Sequence, residues 1–124
     1  MSEPNQTLTP EAEGMAIYES IVNNVADCRD TLDNTIMDLK KADPTGQFLA
    51  STARFLAAVD REEFDEFLPA LIEAAIERDR ERRYIPQLLE AIWGKDYSER
   101  REELRARDDV FRRLYKRVYP EGPF

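Results

Sequence analysis

The chain has 124 residues, 42% hydrophobic and 35% charged, with one cysteine and no histidine. A chain of this length can bury a real core as one domain without staples, and the lone Cys28 excludes an internal disulfide. The lack of histidine removes the commonest general base, the usual triads and most zinc sites, leaving carboxylates, tyrosine, lysine or a hard metal ion for any chemistry.

The net charge of −8 is unevenly spread. Residues 1–77 carry 16 acidic and 5 basic side chains, whereas residues 78–124 carry 13 basic and 10 acidic ones. This split predicts two faces of opposite sign or neutralisation within the fold. The acidic bulk argues against broad nucleic-acid binding, which needs a net basic footprint. No apolar run is long enough to cross a bilayer, and residues 1–14 lack the regions of a secretory signal. A cytoplasmic location without a membrane partner is therefore expected.

In chain order, residues 1–8 read as a polar tail. Thr9-Pro10-Glu11 starts a helix with a capping hydroxyl, proline at the first position and an acid near the positive end of the dipole. Apolar periodicity through Tyr18, Ile21, Val22, Val25, Cys28, Leu32, Ile36 and Leu39 carries this helix over 10–41, with Cys28 as a buried thiol. Asp43-Pro44 breaks it and opens a second helix over 44–59. Asp60-Arg61-Glu62-Glu63 has capping-box spacing and opens a third over 61–83, kinked near Pro69. A short helix over 86–93 ends at Gly94, a position suited to a left-handed cap. Asp96-Tyr97-Ser98-Glu99 has the same capping-box spacing and leads into a last helix over 97–119. No strand-like alternation and no internal repeat is evident. The expectation is an all-α, single-domain bundle of four to five helices over 9–120, with a short tail at 121–124.

Three charged constellations are candidate sites. On the first helix, Asn23, Asp27, Asp30, Asn34 and Asp38 form an acidic-amide stripe about 180° from the core seam. Asn and Asp are poor helix formers, so their use on a wet face points to a surface that a partner reads. Inward carboxylates could hold a metal, but this stripe faces outward, so no metal or cofactor is expected from it.

The second is the pair Glu63 and Glu66. Glu63-x-x-Glu66 is similar to the spacing with which all-α nucleotide pyrophosphatases hold Mg²⁺ on a nucleoside triphosphate. Those enzymes add an E-x-x-D helix, and the nearest counterpart here is Glu99-x-x-Glu102. The shared spacing spans four residues and assigns no family. Helix surface and dipole complement account for the same residues.

The third is a basic edge on the last helix, Arg101, Arg105, Arg112 and Lys116, within about 60° of one another. It could grip an acidic partner or a phosphate backbone, or complement the helix end and nearby acids. Trp93 and Tyr97 flank a turn and could anchor an interface or close the core. Four glycines in the chain exclude a Gly-rich phosphate loop.

The expected function is a non-catalytic protein–protein interaction domain, acting as an adaptor, an inhibitor or immunity-type partner, or an assembly subunit. Its partner is a protein, which a second copy of the chain could supply by pairing its basic half with the acidic half of the first. A Mg²⁺-dependent hydrolase using Glu63, Glu66, Glu99 and Glu102 is the alternative. Weak nucleic-acid binding through the last helix is a third.

Overall fold

The computed structural model describes residues 9–120, so the tails expected at 1–8 and 121–124 lie outside the described residues. Those residues form α1 (Pro10–Asn23), α2 (Leu32–Ala42), α3 (Gln47–Phe64), α4 (Leu68–Arg78), α5 (Pro86–Trp93), α6 (Arg101–Arg107) and α7 (Asp109–Val118). Two single 3-10 turns, Arg29–Thr31 and Asp65–Phe67, precede α2 and α4. No strand occurs among the described residues, and no helix is long and apolar enough to cross a membrane. The all-α expectation holds, but seven helices replace the four to five expected.

The three long helices read from the sequence are each broken, for local reasons. The helix over 10–41 stops at Asn23. Asn24 turns its Nδ2 back onto the Ser20 carbonyl (2.9 Å) while its own N–H also reaches Ser20 (3.1 Å). Asn competes with the helix ladder in this way, and the chain turns through 24–28. Pro69 starts α4 rather than kinking a longer helix, and that helix ends at Arg78, not at residue 83. The bend lies upstream at Asp60, which leaves helical geometry (φ −165°, ψ 86°) and accepts from the Glu63 N–H at 3.1 Å. The helix over 97–119 splits at Asp108, extended at φ −125° and ψ 104°. Residues 95–100 are turns, so the second capping box does not form and α6 begins at Arg101. Only the 86–93 helix keeps its expected limits. Gly94 ends it at φ 97° as required, but its ψ of 161° is extended rather than left-handed helical.

An internal repeat, absent from the sequence reading, organises the middle of the chain. The 3-10 turn at Arg29–Thr31, α2 and its C-cap Asp43 recur 36 residues later as Asp65–Phe67, α4 and Asp79. Leu32, Ile36 and Leu39 bury the positions that Leu68, Ile72 and Ala75 bury in the second copy. Asp43 then caps the helix that follows, and Asp79 holds the turn that leads into the next one. Asp43 Oδ2 accepts from the Phe48 and Leu49 N–H groups at 2.7 and 2.8 Å, and its Oδ1 from Gly46 at 3.1 Å. Asp79 Oδ2 accepts from Tyr84 and Ile85 at 2.7 and 2.9 Å, and its Oδ1 from Arg83 at 3.0 Å. Both carboxylates are buried; Asp43 occupies orphan donors in the first turn of α3, and Asp79 occupies the donors of the 83–85 turn that leads into α5. Both turns also hold one residue at positive φ, Gly46 at 82° and Arg82 at 57°.

The units stack. α1, α3 and α5 pack side by side; α2 lies against α1 and α3, and α4 lies against α3 and α7. Gly14 lets α1 approach α3, since a Cβ there would meet Phe48 Cδ2 at 2.7 Å. One contiguous core runs from Ile21 to Tyr115. Arginines staple neighbouring helices by donating to carbonyls that their own ladders leave open. Arg29 Nη1 reaches the Glu63 carbonyl near the end of α3 (2.6 Å), and Arg61 Nη1 reaches Ile92 near the end of α5 (2.5 Å).

Candidate functional site

α2 and α4 run in the same direction. Arg29 joins the 3-10 turns at their N-terminal ends, and Gly46 abuts Ala75 and Asp79 at their C-terminal ends. Eleven residues make each helix about 16 Å long. The result is a molecule with an acidic pole and an arginine-rich pole on these helices. Acids at helix N-termini and cations at C-termini both complement the macrodipole.

At the acidic pole, two of the sequence-derived sets come together around one cation. The Arg29 guanidinium donates to the Glu66 carboxylate, lies 3.5 Å from Glu63 Oε2, and sits 5.2 Å from the Phe67 ring centroid. Its pKa is raised, first by the hydrogen bond it donates to Glu66 and then by the charges of Glu66, Glu63 and Asp30, which together outweigh the opposing desolvation. Asp30, a member of the expected stripe, thus acts on the same cation as the expected carboxylate pair. Asp27, Glu62 and Asp65 are also exposed in these segments. Asp65 pairs with Arg61 at 2.9 Å.

The stripe itself does not survive as one face. Asn23 ends α1, Asp27 lies in the following turn, Asp30 is in the 3-10 turn, and Asn34 and Asp38 are on α2. All five are exposed, yet the chain turns between them. The choice of Asn and Asp over Glu and Lys has a local cause in part: this segment is a turn, which these residues favour.

Nor do Glu63 and Glu66 form a metal-holding pair with Glu99 and Glu102. Glu63 ends α3, Glu66 lies in the 3-10 turn, Glu99 in the 95–100 turn and Glu102 in the first turn of α6. No group of three or more acidic or sulfur ligands able to hold a metal occurs among the described residues. The basic edge is divided by the α6–α7 break. Arg101 and Arg105 are half-buried on α6, while Arg112 and Lys116 are exposed on α7. Arg112 still reaches back to the Arg105 carbonyl at 2.8 Å, and it pairs with Asp109 rather than with Asp108. Arg113 pairs with Glu73 of α4 rather than with Asp109. Of the i,i+4 pairs Glu103–Arg107, Asp108–Arg112 and Asp109–Arg113 that α6 and α7 carry, Glu103–Arg107 forms, at 2.9 Å.

Cys28 is buried, with its Sγ 3.6 Å from the Val25 carbonyl, and burial pushes its pKa up, away from thiolate chemistry. Trp93 and Tyr97 close the end of the core. Trp93 Nε1 donates to Asp108 Oδ2 at 2.9 Å while Asp108 Oδ1 caps α7 through Val110 and Phe111. Rings then follow in series from Trp93 to Phe111, Tyr115 and Tyr119. The Tyr97 and Tyr119 hydroxyls lie 3.3 Å apart, and this hydrogen bond, followed by burial, pushes the Tyr97 pKa up to about 12.

Sequence reasoning missed both poles because it missed the repeat. The signal was present: Leu32, Ile36 and Asp43 recur as Leu68, Ile72 and Asp79, and the two D-x-x-E spacings at Asp60 and Asp96 share the same offset. Compared with family models, with curated proteins and with solved structures, the chain finds no match.

Proposed function

We propose that the protein is a non-catalytic protein-binding module of helical repeats, which meets a basic surface of its partner with the acidic pole around Arg29. The observation that carries this reading is the helix–aspartate–helix unit recurring at 36 residues. Stacked helical hairpins form extended surfaces suited to binding other chains. The exposed acids Asp27, Asp30, Glu62, Glu63 and Glu66 support an electropositive partner, with charge complementarity setting encounter rate and specificity. A second copy offers such a surface through its arginine-rich pole, which extends the reading to self-association. Adaptor, inhibitor and assembly-subunit roles all use this kind of contact.

Catalysis by Glu63 and Glu66 draws little support, because Arg29 holds both residues. The test is affinity capture of the protein from its native cell at low and high salt, beside a charge-reversed Glu62→Lys/Glu66→Lys variant. A partner held at low salt, released at high salt and lost from the variant is the expected result. A partner that binds the variant equally well, or a Mg²⁺-induced rise in melting temperature with hydrolytic turnover, would overturn it.

A further inference from the structure

The two aspartate turns provide an internal comparison. The first, Ala42-Asp43-Pro44-Thr45-Gly46-Gln47, caps α3 with neutral residues around its aspartate. The second, Arg78-Asp79-Arg80-Glu81-Arg82-Arg83, is held ahead of α5 by Asp79 with nearly the same hydrogen-bond lengths. Holding the turn therefore does not require the four arginines. Arg82 even occupies the left-handed region, at φ 57°, where the first turn places glycine. A non-glycine residue at that φ is strained, and strain retained without a folding role points to function.

These arginines border a cleft. The space between the turns is about 240 Å³ and is lined by Pro44 and Thr45 on one side and by Arg78, Arg80, Glu81, Arg83 and Tyr84 on the other, so three guanidiniums face one exposed carboxylate there. Arg78 and Arg80 also line an adjoining cleft with Pro44 and Glu77. Among the described residues, Arg78, Arg80 and Arg82 pair with no carboxylate. Arg83 is 3.5 Å from Glu81, and both side chains are largely exposed, so the pair opens readily. Asp79 also lines the cleft, but its carboxylate is buried and engaged by three backbone N–H groups. Arg117 of α7 donates to the Arg80 carbonyl at 3.3 Å, bringing a fifth guanidinium to the same end.

We propose that this cleft is a phosphate-binding site in which Arg78, Arg80 and Arg83 grip a phosphate dianion. Guanidinium forks match phosphate oxygens bidentately, and every cation bordering the cleft is arginine rather than lysine. Several arginines around one small cleft favour a dianion over a single carboxylate. The phosphate is that of a phosphorylated side chain or of a small phosphorylated metabolite. This site lies at the opposite end of α2 and α4 from the acidic pole and does not rest on the partner reading, although self-association through the arginine-rich pole would compete for the same end.

The test is NMR titration with inorganic phosphate against chloride at matched ionic strength, with O-phosphoserine and a nucleoside monophosphate as further arms. Saturable shifts confined to 44–45 and 78–84 are expected, with at least tenfold weaker binding in Arg78→Gln/Arg80→Gln. Tighter binding of either organic phosphate supports the site and names the source. A second variant, Arg82→Gly/Arg83→Gln, restores first-turn residues and keeps Asp79, so it separates lost binding from lost folding. Equal shifts with chloride, shifts spread over all basic side chains, or unchanged affinity in a folded double variant would overturn the proposal.

Discussion

Asp43 and Asp79 do the same work at the residue scale, and removing either leaves backbone donors without an acceptor. Each accepts three N–H bonds in a buried site. Asp79→Ala and Asp43→Ala should each cost about 3 kcal/mol in denaturant unfolding, given roughly 1–3 kcal/mol per buried unsatisfied group. Asp79→Asn keeps one acceptor oxygen and should cost about half as much. A loss under about 0.5 kcal/mol for the alanine variants would mean that these carboxylates do not hold the turns. Tyr97 makes a pH-dependent prediction. Its folded pKa of about 12 lies above the ordinary phenol value near 10, so the fold favours the protonated form. The stabilisation is fully present below about pH 10 and is lost as pH rises through about 12. Melting temperature measured from pH 9 upward should therefore fall less steeply in Tyr97→Phe than in the parent; parallel curves would contradict this.

Among the elements, the turns carry more information than the helices. Gly46 sits at φ 82°, and a Cβ there would lie 3.1 Å from the Ala75 carbonyl oxygen and 3.2 Å from Asp79. Gly46→Ala is strained by backbone and crowded by the second turn at once, and should destabilise by about 2 kcal/mol. Arg82→Gly, at the equivalent position, should be neutral or stabilising by about 0.5–1 kcal/mol in the same denaturant assay. A destabilising Arg82→Gly would break the equivalence of the two turns. Much of this was legible in the sequence. The core stripe from Ile21 to Leu39, the Thr9 and Asp60 caps and the 86–93 helix were all readable. The breaks were not, because an apolar period continues in phase across a turn when both sides face one core. Asn24, the 3-10 turns and Asp108 interrupt the backbone without interrupting the stripe. The repeat was hidden for a related reason. Of the twelve positions from Leu32 to Asp43, three carry the same residue 36 further on, and of the others only the pair Leu39 and Ala75 is buried in both copies, so the fold leaves the rest free to differ. The clustering of Asp30 with Glu63 and Glu66 depends on Arg29 crossing between units, which no local spacing encodes.

For the whole molecule, the uneven charge becomes polar order along two co-directional helices. Acids gather where α2 and α4 begin, and arginines where they end, which lowers the electrostatic cost of each cluster. The same order leaves two chemically distinct surfaces at opposite ends of one repeat. The partner reading uses the acidic surface, and the phosphate cleft lies in the arginine-rich one, which self-association would also engage. Both rest on the 36-residue repeat, and amide hydrogen exchange tests that repeat most directly. Protection at Phe48 and Leu49 should recur at Tyr84 and Ile85, with fast exchange through 24–28, and Asp43→Ala or Asp79→Ala should deprotect its own pair first. Uniform protection through 24–28, as in one unbroken helix, together with unprotected amides at 48, 49, 84 and 85, would contradict the account.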